Sequence, residues 1–194
     1  FDKYNSKKKD KFLEVSYLTD KKVPKLIEGY ELAKISNIVK DLINEQAEVM
    51  TPKALADKAV ELGKQFGFQA EIMDEKKIQK LGMNAYLGVA RAAHHRHYLI
   101  VMRYKGDEKS KYTHGLVGKG LTYDTGGLSL KPTASMLTMR CDMGGAATMI
   151  GTMCAIAKMK IKKNVTCVVA ACENSIGTNA YRTGDILTAL NGKT

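Results

Sequence analysis

The chain has 194 residues, of which 44% are hydrophobic and 26% charged, which supports a buried core and excludes intrinsic disorder. No apolar run approaches the roughly 18 to 20 residues that span a bilayer, and Phe1-Asp2-Lys3-Tyr4 lacks the apolar stretch of a secretory signal, so a cytoplasmic location is expected. The net charge of +11 is spread over lysines scattered among acids and not interleaved with stacking aromatics, so neither a membrane nor nucleic acid is an expected partner; the densest basic run, Lys7-Lys8-Lys9, reads as solvent-facing.

In chain order, a lysine-rich start leads into a strand-like alternating run at 12–18 that has no partner nearby. Apolar residues Leu26, Tyr30, Ala33, Ile35, Ile38, Val39, Leu42 and Ile43 then recur at three- and four-residue spacing, which predicts an amphipathic helix over 25–48. Thr51-Pro52 supplies an N-cap and a proline at the first helical position, and Gly67 ends that second helix after Phe66. A strand at 68–73 follows, then a short helix capped by Asp74 and ending near Gly82, and a buried strand at 98–102. Leu116-Val117 reads as the end of another strand, 146–159 as a helix and 165–171 as a strand. This alternation predicts an α/β fold, a mixed and largely parallel sheet flanked by helices, with functional groups at strand C-terminal ends.

The four cysteines, at 141, 154, 167 and 172, lie in apolar or glycine-rich surroundings with no CxxC pair, and are expected to be reduced core thiols. Asn164-Val165-Thr166 matches a glycosylation pattern but opens a run that reads as a buried strand.

The distinctive chemistry lies in GKGLTYDTGGLSLKP, from Gly118 to Pro132, and MRCDMGGAA, from Met139 to Ala147, where six glycines let backbone pass close to a small site. A Walker phosphate loop is excluded, since Lys119 is followed by Gly120 and not by Ser or Thr; a dinucleotide fingerprint is excluded because Tyr123 stands where its third glycine belongs. Asp124 and Asp142 are acids in apolar segments, where an unpaired carboxylate is costly. A divalent ion would satisfy both, and a carboxylate can bridge two ions held about 3.5 to 4 Å apart. Lys119, if it loses its proton, is a further candidate ligand, and Lys131 a candidate for polarising a substrate carbonyl. The residues alone leave a blander alternative open: Asp142 as cap of a helix beginning near Met143, and Lys119 with Asp124 as a buried ion pair.

These two tracts, with Glu173-Asn174, the run Asn179-Ala180-Tyr181-Arg182-Thr183-Gly184-Asp185, and weaker likeness at Asn44-Glu45 and Met50-Thr51-Pro52, resemble the leucine aminopeptidase (cytosol aminopeptidase) family in order and spacing. The resemblance implies two divalent metal ions, Zn or Mn with Mg or Co as alternatives, one held by Lys119 and Asp142 and both bridged by Asp124. It makes Lys131 the catalytic lysine and places Met139 in the pocket for the substrate's N-terminal side chain, where a thioether suits apolar groups. The implied activity is removal of N-terminal residues, preferably apolar ones such as Leu, from peptides with a free N-terminus, through a water activated between the two metals. The implied assembly is a homo-hexamer of the full-length protein.

The resemblance further implies that residues 1–24 are the tail of an N-terminal domain, 25–49 a connecting helix, and 50–194 the N-terminal part of the catalytic metallopeptidase domain. Family members continue past the 191–194 region into an Asn-Thr-Asp-Ala-Glu-Gly-Arg motif that supplies further ligands, so the segment alone is expected to be inactive. Two other classes remain at this point: a non-catalytic protein of the same fold that binds nucleic acid, and a pure assembly partner. The run Arg91-Ala92-Ala93-His94-His95-Arg96-His97 stands where the family usually has a glycine- and proline-containing turn; without helical spacing or nearby acids it reads as a surface loop and not a metal site.

Overall fold

A computed structural model describes residues 3–6, 16 and 18–194. The strand-like run at 12–18 falls almost wholly outside them, as does Lys7-Lys8-Lys9.

Helix α1 spans Pro24–Asn44. It stops short of the expected end because Glu45 turns extended and its carboxylate accepts the Gln46 N–H (3.0 Å), the Lys3 Nζ (2.5 Å) and the Tyr4 hydroxyl. Helix α2, Pro52–Phe66, begins with the Thr51 side chain accepting from the Ala54 N–H (3.2 Å) and ends at Gly67 in the left-handed conformation (φ +96°). Strand β1 is Gln69–Met73, and the Asp74 carboxylate caps α3, Glu75–Lys80, by accepting from the Lys77 N–H (3.0 Å). A second short helix, α4 (Asn84–Ala90), follows Gly82 and was not expected from periodicity.

Strands β2 (Tyr98–Lys105), β3 (Thr113–Asp124) and β4 (Asn164–Asn174) complete a sheet in the order β1-β2-β4-β3. Strand β3 does not end at Val117 but runs through the glycine tract to Asp124. The short helix α5 (Thr133–Met136) and a 3-10 turn at Met139–Cys141 lead to helix α6, Gly144–Lys158.

The sheet is mixed, but its parallel share is smaller than expected: β3–β4 is parallel, while β1–β2 and β2–β4 are antiparallel. A crossover through α5, the 3-10 turn and α6 joins the parallel pair β3 and β4, while α3 and α4 lie between the antiparallel pair β1 and β2.

Helices α1, α2 and α6 cover one side of the sheet, where Leu55, Leu62, Ile150 and Met153 close on Ile100, Met102, Cys167 and Val169. Helices α3 and α4 cover the other, around Ile78, Leu99 and Val101. Glycine is required where α6 approaches β3: a Cβ on Gly118 would stand 2.9 Å from the Ala146 Cα. Among the described residues no helix is long and apolar enough to cross a membrane.

Candidate metal centre at the end of strand β3

The site is built by an irregularity. Lys119 and Asp124 are five residues apart, so the alternation of a regular strand would send their side chains to opposite faces. The β3–β4 register slips between Leu121 and Tyr123, however, so that Lys119 faces Ala170 and Asp124 faces Asn174. Ala170 and Asn174 share a face of β4, so the slip places Lys119 and Asp124 on that one face. The extra residue, Thr122, is fully buried and its hydroxyl donates to the Cys172 carbonyl (3.4 Å). The Cys172 thiol, pushed up to about 12 mainly by burial, also feels Asp124 and Lys119, one raising and the other lowering it.

Beyond Asp124 the chain turns sharply. Gly126 and Gly127 adopt left-handed conformations (φ +87° and +69°), and a Cβ on Gly126 would lie 2.4 Å from the Ser129 carbonyl oxygen. The Lys131 N–H donates to the Thr125 carbonyl (2.9 Å), which closes the turn and carries the Lys131 side chain back over the strand end.

Asp124 is buried, and its Oδ2 faces Lys131 Nζ at 3.0 Å while its Oδ1 accepts from the Gly126 N–H and from Asn174 Nδ2, each at 2.8 Å. Burial pushes its carboxyl up, but the hydrogen bonds from Gly126, Lys131 and Asn174 outweigh this and hold it below the usual carboxylate value. Asp142 follows the 3-10 turn, its N–H donating to the Met139 carbonyl (3.3 Å). It does not cap α6, whose N-cap is Met143 with no side-chain bond. Nor do Lys119 and Asp124 pair with each other: Lys119 Nζ lies 3.3 Å from Asp142 Oδ2, and Lys131 takes Asp124.

Asp142 Oδ2 is buried without a hydrogen-bond partner among the described residues, so the nearby lysine supplies opposite charge but no aligned donor. A buried carboxylate oxygen left in that state suits a cation. The donor set is partial: among the described residues no group of three or more His, Cys, Asp or Glu is arranged to hold an ion. What the chain brings is two carboxylates, each beside a lysine, which fits half of a metal centre. Met139, half-buried in the 3-10 turn, stands three residues before Asp142.

A cavity of about 720 Å³ opens beside the acids and not on them; its walls include Tyr123, Glu173, His94, His95 and Glu48. The histidine run is a loop, but two of its members turn inward. His95 Nδ1 meets the buried Glu173 carboxylate at 3.0 Å, and His97 is buried edge-on against the Tyr86 ring. Cys154, Cys167 and Cys172 are buried free thiols as expected, while Cys141 is exposed. Asn174 entered the sequence reading only as part of the family resemblance and without a role: an asparagine at a strand end carries no ligand signature, and only the slipped register reveals what it faces.

A model of the cytosol aminopeptidase family, catalytic domain, matches residues 37–194. The chain belongs to this family. It is 85% identical, over its whole length, to a probable cytosol aminopeptidase of Fusobacterium nucleatum subsp. nucleatum, and 47% identical over 168 residues to one of Clostridium perfringens. It spans 41% of the first and 34% of the second, well under half of these cytosol aminopeptidases. Among solved structures, the bottromycin maturation enzyme BotP in complex with Mn superposes on 99% of the chain and 40% of its own (TM-score 0.88, 31% identity). The cytosol aminopeptidase of Coxiella burnetii superposes on 80% of the chain and 34% of its own (TM-score 0.76, 34% identity).

Proposed function

We propose that the full-length protein is a metal-dependent aminopeptidase that removes N-terminal residues, preferably apolar ones such as Leu, from peptides with a free amino terminus. The observation that supports it most is the placement of Lys119 and Asp124 on one face by the slipped register, with the orphaned Asp142 oxygen beside Lys119. Lys119 and Asp142 would hold one divalent ion, and Asp124 would be shared between that ion and a second. Zn or Mn is the expected metal, Mg or Co an alternative, and the Mn in the BotP complex is consistent with such a site. When bound, the ions would bring the pKa of a water toward neutrality and polarise the scissile carbonyl.

The chain's own groups then have distinct tasks. Asp124, held ionised by three donors, supplies negative charge without changing protonation at neutral pH. Lys131, which the 125–131 turn brings to the site, donates from Nζ to the substrate carbonyl oxygen as negative charge develops there. Met139 lines the pocket for the first side chain. The remaining donors come from the part of the protein beyond this segment, which alone is therefore inactive. The full-length protein is a cytoplasmic homo-hexamer in this reading, and its mass in solution checks the assembly.

The test is hydrolysis of leucyl-p-nitroanilide and of Leu-initiated peptides by the full-length protein with added Mn²⁺ or Zn²⁺. Free amino termini are expected to be processed and N-acetylated ones not. Lys131→Ala is expected to lower kcat on the order of 10² to 10³-fold, and Asp124→Ala to abolish turnover. Near-normal activity in Asp124→Ala would overturn the site assignment.

A further inference from the structure

Asn174 closes strand β4 directly opposite Asp124, is 8% exposed, and is tied in from three directions. Its carbonyl oxygen accepts from both the N–H and the hydroxyl of Thr125 (2.9 Å each), which pins the start of the glycine turn to the end of β4. Its Nδ2 donates to Asp124 Oδ1 at 2.8 Å. Its Oδ1 lies under Gly127, where a Cβ would come within 2.9 Å of it. A carboxylate can only accept, so the NH₂ end of the amide must face Asp124, and the Oδ1 end occupies the space that a side chain at residue 127 would take.

The two oxygens of Asp124 are thereby made unequal. Oδ1 already takes two hydrogen bonds, from Gly126 and Asn174, whereas Oδ2 has only Lys131 at 3.0 Å. The Gly126 bond belongs to the turn itself, whereas the Asn174 bond comes from the neighbouring strand. It is therefore the contact that fixes the carboxylate plane relative to the sheet.

We infer that Asn174 is a positioning residue for the metal centre: it touches neither metal nor substrate, and acts by locking the Asp124 carboxylate so that Oδ2 is the oxygen offered to a divalent cation. The inference rests on the proposed role of Asp124 as a ligand. Partners that orient a ligand in this way typically contribute about 10 to 100-fold in metal affinity.

The experiment measures Mn²⁺ affinity of the full-length protein by calorimetry in four forms: wild type, Asn174→Leu, Asp124→Ala and the double variant. Asn174→Leu keeps the shape without the donor and is expected to weaken Mn²⁺ binding about 10 to 100-fold in the wild-type background and not at all when Asp124 is already alanine. A loss of the same factor in both backgrounds, or less than about threefold in the first, overturns the inference while the ligand role of Asp124 stands. Unchanged affinity in Asp124→Ala alone overturns that role and the inference with it. Asn174→Asp guards against a folding defect: it keeps the shape and adds negative charge, so Coulomb attraction by itself would tighten a cation. Weaker Mn²⁺ binding in that variant supports positioning through the lost N–H, and tighter binding contradicts it.

Discussion

His97 is buried to 6% exposure against Tyr86, and its Nε2 has no hydrogen-bond partner among the described residues. Burial lowers its pKa from the ordinary 6.5, with Glu75 pulling weakly the other way, so the folded state holds the ring neutral. The unfolded chain takes up a proton near 6.5 and the folded chain only at lower pH. The stability that His97 contributes is therefore fully present above 6.5 and lost as the pH falls through the folded value. Thermal unfolding of the full-length protein should show this loss on acidification, and His97→Phe, which keeps a ring against Tyr86, should flatten that part of the profile; an unchanged profile would remove His97 as its source. At this scale Lys119, Asp124, Lys131 and Asp142 stood out in the sequence because charge in a glycine-rich apolar tract needs a reason. Their pairing did not, because which lysine reaches which acid depends on the 125–131 turn and on Met139–Cys141, and neither follows a period.

The helices with the clearest boundaries are those whose ends carry their own chemistry. For α2, the Thr51 cap, Pro52 and the left-handed Gly67 act locally, so they were legible before any fold was known. Thr51→Ala should cost about 1 kcal/mol of stability by denaturant unfolding, the usual cost of losing such a cap; a change within about 0.2 kcal/mol would mean that tertiary packing alone sets the start of α2. The glycine tract was harder to read. Its residues argue for a loop by composition, yet 118–124 are strand, with Gly118 placed where α6 packs too closely for a side chain. Strand β3 illustrates the limit of periodicity: counting by twos places Lys119 and Asp124 on opposite faces, and one buried residue, Thr122, reverses that result. Deleting Thr122 would leave Lys119 and Asp124 four positions apart in a regular ladder, still on one face opposite Ala170 and Asn174. The antiparallel ladders were also hidden, since β2 pairs with β4 across an intervening strand and no local signal sets their relative direction.

Taken whole, the segment is a mixed α/β sheet covered on both sides, with the candidate centre at the C-terminal end of its parallel pair, β3 and β4. Membership of the cytosol aminopeptidase family rests on the match over 37–194 and was legible because GKGLTYDTGGLSLKP and MRCDMGGAA are long and specific. Among the described residues no group of three or more His, Cys, Asp or Glu is arranged to hold an ion, and the chain spans 41% of its Fusobacterium relative. In the proposed function, Asp124 is the ligand common to two ions while Asp142 serves one. The most direct test is the metal content of the full-length protein after Zn²⁺ or Mn²⁺ loading and desalting, read by elemental mass spectrometry. Two ions per chain are expected in the wild type, one in Asp142→Ala and none retained in Asp124→Ala. Two ions retained in Asp124→Ala would contradict that assignment.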